Sequence, residues 1–288
     1  LDDYEAYRRK TAMTLEHTEI YPNVYVYRNV LKDPAKMYEI MKESELDAGG
    51  KYVLGKWDPW AHFGTYTQVK DSSQFDPELS QDERFIREKE FTEEVQKAYD
   101  QVIMDYVEKT GIALPESWRF SGCSYSKYFD QIDVMSNKMT MQYHTDHITS
   151  QKDMPGDKFY ITCTMYINDD YEGGDIEFYV DGVLTNHKPV AGDIVVFPST
   201  EPYFHGVKTI YNGEKFFVRN FVMYTFPGTK EWLDNQLKFG AVNWMKKEFK
   251  RIEHDDPRNM RYLVNGELVE YDEVQKKANQ EAQKNETY

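Results

Sequence analysis

The sequence predicts a mainly β fold with flanking helices, and three observations carry that prediction. Residues 121–226 fall into short stretches rich in β-branched and aromatic residues: SGCSYSKYF, KMTMQYHTDH, KFYITCTMYIN, GDIEFYV, DIVVFPS and KFFVRNFVMYTF. Turn signals separate them, among them Pro155-Gly156-Asp157, Gly173-Gly174, Gly192-Asp193 and Asn212-Gly213. The chain also holds 23 Tyr and 16 Phe, residues that favour strands and supply large apolar surfaces with polar ends. Short strands at this spacing form a closed or sandwiched antiparallel architecture.

The elements follow in order. YPNVYVYRNVL (21–31) alternates and reads as a short strand pair around a turn. Asp33 can cap a helix that Pro34 opens, with Met37, Ile40 and Met41 on one face. Gly49 and Gly50 end that unit, and residues 55–82 read as a loop. Phe85, Phe91, Val95, Ala98, Val102 and Ile103 recur at helical spacing within 83–110, and Gly111 and Pro115 stop that helix. After the strands, a helix with Trp232, Leu233 and Leu237 among its apolar residues is expected from 229. VNGELVEYDEV carries an Asn265-Gly266 hairpin signal, and the polar last dozen residues are expected to fray. The expected organisation is a mixed, helical region 1–120 supporting a core at 121–228, with an extension at 229–288. Together they make one integrated domain.

Composition narrows the function classes. With 288 residues and 40 % hydrophobic content the chain can build one large core. A formal net charge of -15 argues against a nucleic-acid partner, because phosphate backbones reward Lys and Arg. Cys123 and Cys163 form no CxxC pair, which fits a reducing, cytoplasmic setting. No run of 18 apolar residues is present, and LDDYEAYRRKTAM lacks the apolar core of a signal peptide, so no membrane association is expected. The expected assembly is a monomer or homodimer.

The chemistry starts at QYHTDHI. On a strand, His144 and Asp146 point to one face because side chains alternate. Thr140 and Gln142 would continue that face, with Met139, Met141 and Tyr143 on the other. An isolated HxD pair is usually a hydrogen-bonded surface or core pair. His205, shortly after the strand-like GDIVVFP, changes that reading. Two imidazoles and one carboxylate make a facial triad, the donor set that holds non-haem Fe(II) and leaves positions open. His147 would point away from His144, His187 lies in a polar turn, and His17, His62 and His254 have no ligand-spaced partner.

YHTDH, then MYINDDYEGGDIEF, then KPVAGDIVVFPSTEPYFHGVKTIYNGEKFFVRNFVMY resemble, in order, the motifs of one family. It is the prolyl 4-hydroxylase-like branch of the Fe(II) and 2-oxoglutarate dependent dioxygenases, and the resemblance covers about residues 121–226. It implies a double-stranded β-helix (jelly roll, cupin-like) core with supporting helices. It implies catalytic iron on His144, Asp146 and His205, with 2-oxoglutarate and O2 as co-substrates. Lys215, ten residues after His205, matches the lysine that pairs with the far carboxylate of 2-oxoglutarate. Burying that carboxylate unpaired would be costly. Arg219 lies four residues further, on the same strand face, and is a candidate for substrate carboxylate or for assisting Lys215. Tyr125 or Tyr128 is the candidate hydroxyl donor to the co-substrate.

The implied reaction is hydroxylation of an unactivated C–H bond with release of succinate and CO2. Arg219 and the long N-terminal region favour a free amino acid or other small carboxylate-bearing metabolite as substrate. The alternative is a prolyl 4-hydroxylase acting on a peptide or protein. A non-catalytic β-barrel binding module is a further class, and a cupin-like metal enzyme without 2-oxoglutarate would leave Lys215 unexplained. A halogenase is disfavoured, because halide needs the position that Asp146 takes.

Overall fold

The computed structural model describes residues 15–46, 57–60, 65–68, 83–130, 139–147, 155–230, 261–264 and 267–270. Strand β1 (His17–Tyr21) turns through Pro22 and Asn23 into β2 (Val24–Tyr27), as the alternation predicts. Asn23 takes a left-handed φ of 63°, a conformation its short polar side chain tolerates. Helix α1 (Pro34–Leu46) starts where Asp33 Oδ1 accepts the Lys36 amide at 3.0 Å.

The loop expected at 55–82 is corrected in part. It contains β3 (Trp57–Trp60) and β4 (Thr65–Gln68), paired antiparallel. Pro59 lowers the strand signal, yet β3 stands at a sheet edge, where a missing N–H is tolerated. Helix α2 (Glu83–Thr110) ends at Gly111, whose amide donates to the Val107 carbonyl at 3.0 Å.

The remaining strands are β5 (Arg119–Phe120), β6 (Ser124–Tyr128), β7 (Met139–His144), β8 (Gly156–Tyr166), β9 (Glu172–Gly173), β10 (Ile176–Val180), β11 (Val183–His187), β12 (Ile194–Pro198), β13 (Phe204–Lys208), β14 (Ile210–Tyr211), β15 (Lys215–Phe226), β16 (Arg261–Val264) and β17 (Glu267–Glu270). β16 and β17 pair antiparallel, with Val264 opposite Glu267, as the hairpin signal predicts. The Gly49-Gly50 stop and the helix expected after 229 lie outside the described residues.

Two antiparallel sheets dominate. The larger runs β1-β2-β12-β8-β15-β6-β4-β3, with β5 on β15, and the smaller runs β11-β10-β13-β7. One core lies between them: Phe178 and Val207 from the smaller sheet meet Val195, Phe197, Tyr166 and Phe217 from the larger. A second core lies behind the larger sheet, where Met37, Met41, Val95, Tyr99 and Val102 of the two helices cover Ile161, Cys163, Met165, Phe216 and Val218. Alternation along β15 explains both layers, since odd and even residues serve opposite faces. This is the double-stranded β-helix arrangement, with helices backing the larger sheet.

His187, expected in a polar turn, instead ends β11 in a buried position. Its Nε2 lies 3.3 Å from Asp193 Oδ2, and Arg28 Nη1 lies 2.8 Å from the same oxygen. Gly192-Asp193 is therefore both the expected turn and an anchor.

Candidate metal centre

The two sheets open around His144, Asp146 and His205. β7 and β13 pair so that His144 stands opposite His205, and the two rings lie 4.4 Å apart between centroids. His144 Nε2 is 3.5 Å from Asp146 Oδ1, and His205 Nε2 is 3.4 Å from Asp146 Oδ2. One ligand atom from each lies within 4.8 Å of the others.

The pairing of β7 with β13 is irregular, and this corrects the predicted faces. His205 pairs with His144, but Val207 pairs with Met141, so β7 spends one extra residue there. The bulge shifts the alternation, and Met141 lines the pocket with His144 instead of facing away. Tyr143, also buried, is absent from the pocket lining and donates to Glu177 Oε2 at 2.6 Å.

The donor set fits a divalent metal. His144 Nδ1 lies 2.9 Å from the Gln142 carbonyl and His205 Nδ1 lies 3.4 Å from the Tyr203 carbonyl. A carbonyl only accepts, so each Nδ1 carries the proton and each Nε2 lone pair faces the shared centre. Burial pushes the His205 imidazole down to about 4, which keeps it neutral. Burial acts the same way on His144, but the hydrogen bond and charge of Asp146 outweigh it and raise its pKa. Burial also opposes ionisation of Asp146, yet the two imidazoles and the Thr162 hydroxyl hold its carboxyl well below the usual carboxylate range. A neutral imidazole and an ionised carboxylate meeting at one point are what a metal requires.

The same pocket is lined by Tyr128, Lys215, Phe217 and Arg219. Lys215 is 1 % exposed, donates to the Gly174 carbonyl, and lies 4.6 Å from the centre of the Tyr166 ring. Burial pushes its ammonium down to about 7. Among the described residues no carboxylate stands within ion-pair distance of it, so a buried cation there suits an anionic ligand. Phe216 and Val218, between Lys215 and Arg219, face the helical core. The two tyrosines separate: Tyr128 pairs with Lys215 and lines the pocket, whereas Tyr125 turns to the helices and shares a 2.9 Å hydrogen bond with Thr92.

Thr162 was missed by sequence reasoning. In KFYITCTMYIN the small polar Thr162 and Thr164 alternate with Ile161, Cys163 and Met165, and that period marks the pocket face of β8. Met141 was missed because a bulge leaves no mark in residue types.

Residues 130–223 match the family described as the 2OG-Fe(II) oxygenase superfamily. The match places this segment in the Fe(II)/2-oxoglutarate oxygenase superfamily. The match spans the three triad residues, Lys215 and Arg219. An intact triad and this membership make the protein an enzyme that runs a 2-oxoglutarate and Fe(II) dependent oxygenase reaction. No curated protein matches the sequence.

Several solved structures match the chain at low identity. A prolyl-4-hydroxylase from Pseudomonas putida is 18 % identical, with 69 % of this chain and 91 % of that one covered at a TM-score of 0.46. The viral collagen prolyl hydroxylase of Paramecium bursaria Chlorella virus-1 is 12 % identical, covering 70 % and 96 % at 0.45. A Trichoplax adhaerens prolyl hydroxylase, in complex with a hypoxia inducible factor peptide fragment, is 13 % identical, covering 70 % and 83 % at 0.45.

Proposed function

We propose that this oxygenase hydroxylates an unactivated C–H bond of a prolyl or similar apolar residue in a peptide or protein, releasing succinate and CO2. The reaction class rests on one observation: the triad and a buried lysine line a single pocket. His144, Asp146 and His205 would hold the iron. When bound, Fe(II) supplies the one-electron and dioxygen chemistry. The Lys215 ammonium would take the far carboxylate of 2-oxoglutarate, with the Tyr128 hydroxyl beside it. Phe197, Ile176, Val207 and Phe217 wall the pocket with apolar surface and limit water beside the reacting groups. No side chain needs to act as a general base for C–H cleavage.

The substrate class is read from the next rung of β15. Phe221 pairs with Thr162, so it stands on the pocket face of the larger sheet. A bulge at Tyr160 brings Phe159 onto the same face, and the two rings stack 4.2 Å apart at 17°. Both are half-buried. Such a platform suits the saturated ring of a prolyl residue, and Arg219 beside it can meet a backbone carbonyl. A free amino acid or other small carboxylate-bearing metabolite, favoured from sequence, becomes the second reading, and the cation of Arg219 is what supports it.

The test is succinate formation in the presence of Fe(II), 2-oxoglutarate and either proline-containing peptides or free amino acids. The peptide should stimulate turnover and gain the mass of one oxygen atom. Turnover only with free amino acids would reverse the order of the two readings. Absence of 2-oxoglutarate-dependent oxygen transfer with any substrate would remove both.

A further inference from the structure

Two hydroxyl groups on the larger sheet bear on the metal centre without belonging to the triad. Asp146 lies beyond the end of β7, and its side chain is 9 % exposed. Thr162 Oγ1, on β8, donates to Asp146 Oδ2 at 2.7 Å. An ionised carboxylate only accepts, so the single hydroxyl proton of Thr162 is committed to it. The 2.8 Å contact between Thr162 Oγ1 and Ser199 Oγ must then have Ser199 as donor. Thr162 is 2 % exposed and Ser199 is fully buried. The Ser199 backbone ties the Asp146 loop to β8: its carbonyl accepts the His147 amide at 2.9 Å, and its amide donates to the Tyr160 carbonyl at 3.0 Å.

We propose that Ser199 and Thr162 form a two-hydroxyl relay that positions Asp146 as a metal ligand. The inference rests on reading His144, Asp146 and His205 as the metal triad. A buried threonine ordinarily satisfies its hydroxyl on a nearby backbone carbonyl, with no bearing on a distant group. Here the proton goes to a carboxylate, and the bond is charge-assisted. It holds one oxygen of Asp146, fixes the rotation of the carboxylate plane and presents the other oxygen. Ser199 fixes the rotation of the Thr162 hydroxyl in turn. In this role both are positioning residues that act on the metal through Asp146.

The test uses the full chain with Co(II) as probe, its affinity read by chelator competition and its ligand geometry by visible absorption. Thr162→Val keeps the side-chain shape and removes the hydroxyl. It should weaken Co(II) binding about 10- to 100-fold and alter the spectrum. Thr162→Ser should restore both, which a packing role alone would not explain. Ser199→Ala should produce a smaller loss in the same direction. Wild-type affinity and spectrum in Thr162→Val overturn the relay. If Thr162→Val does not fold, as judged by circular dichroism, an unchanged affinity and spectrum in Ser199→Ala overturn it instead. His205→Ala separates the two levels of the argument. If it binds Co(II) as wild type does, or wild type binds none, the triad reading fails and the relay falls with it.

Discussion

Lys215 and Tyr128 are direct cross-strand neighbours on β15 and β6, and both side chains line the pocket that holds the triad. Arg219 lies on the same face of β15, opposite Ser124 and Thr164. Four residues of extended strand separate the two cations by roughly 13 Å, too far to serve one carboxylate. Lys215→Met should therefore raise the Kd for 2-oxoglutarate by about 100-fold or more, by loss of a buried charge-assisted contact. Arg219→Met should change it little and should instead raise KM for the hydroxylated substrate. Titration of both variants at fixed Fe(II) checks this, and the reverse pattern would exchange the two roles.

The tyrosines divide in the same way. Tyr128→Phe removes a hydroxyl that now reaches Met141 Sδ at 3.5 Å, a weak acceptor that a carboxylate would displace. It should weaken 2-oxoglutarate binding by about 5- to 10-fold, a hydrogen bond's worth. Tyr125→Phe removes the Thr92 contact on the helix side of the sheet and should leave that affinity unchanged while lowering Tm slightly. Equal losses in the two variants would count against Tyr128.

Lys215 also gives a pH signature. Its folded-state pKa of about 7 lies below the ordinary 10.5. Below 7 the folded and unfolded chains are both protonated there, and the cost of the buried charge is fully present. Between 7 and 10.5 the unfolded chain binds more protons, so stability should rise with pH across that window. Binding of a dicarboxylate needs the charged amine, so 2-oxoglutarate affinity should fall as pH rises above 7. Calorimetry in buffers of different ionisation enthalpy should show proton uptake on binding at about pH 8. A flat affinity profile through that range would refute the assignment.

Gly173 and Gly174 both take a φ of +67°, and the Gly174 carbonyl receives the Lys215 ammonium. A Cβ at Gly173 would collide with the Thr209 carbonyl oxygen, which is backbone and cannot swing away. Gly173→Ala should cost roughly 3 kcal/mol or more, by adding a left-handed penalty to a backbone clash. Denaturant unfolding measures it, and a loss below about 1 kcal/mol would show that the turn re-forms.

Much of this centre was legible in the sequence because it rests on alternation. KFFVRNFV assigns Lys215 and Arg219 to one face and Phe216 and Val218 to the other, and β15 is regular over that stretch. His144, Asp146 and His205 were legible as a donor set. The neighbours of His144 were not, because a bulge in β7 moves Met141 to the inner face. The bulge at Tyr160 hid Phe159 likewise. Strands β3 and β4 were lost in a segment rich in Gly, Pro and Asp, where Pro59 is tolerated because β3 stands at the sheet edge. Tyr125 and Tyr128 could not be separated because their odd spacing becomes meaningful only once the face of Lys215 is known.

The triad is not carried by one sheet. His144 and His205 come from β7 and β13, while Asp146 is tied through Thr162 and Ser199 to β8 and the end of β12. A divalent ion on all three is therefore a rivet through the sandwich, joining two layers that otherwise meet at that point through apolar packing and the few hydrogen bonds of the Asp146 loop to Thr162 and Ser199. Chelation should loosen the seam before it unfolds either sheet, and β7 should be first to exchange its amide hydrogens. At a metal concentration of 100 Kd the rivet adds about 2.7 kcal/mol to global stability. The enzyme's mechanical coherence and its chemical competence then depend on the same ion.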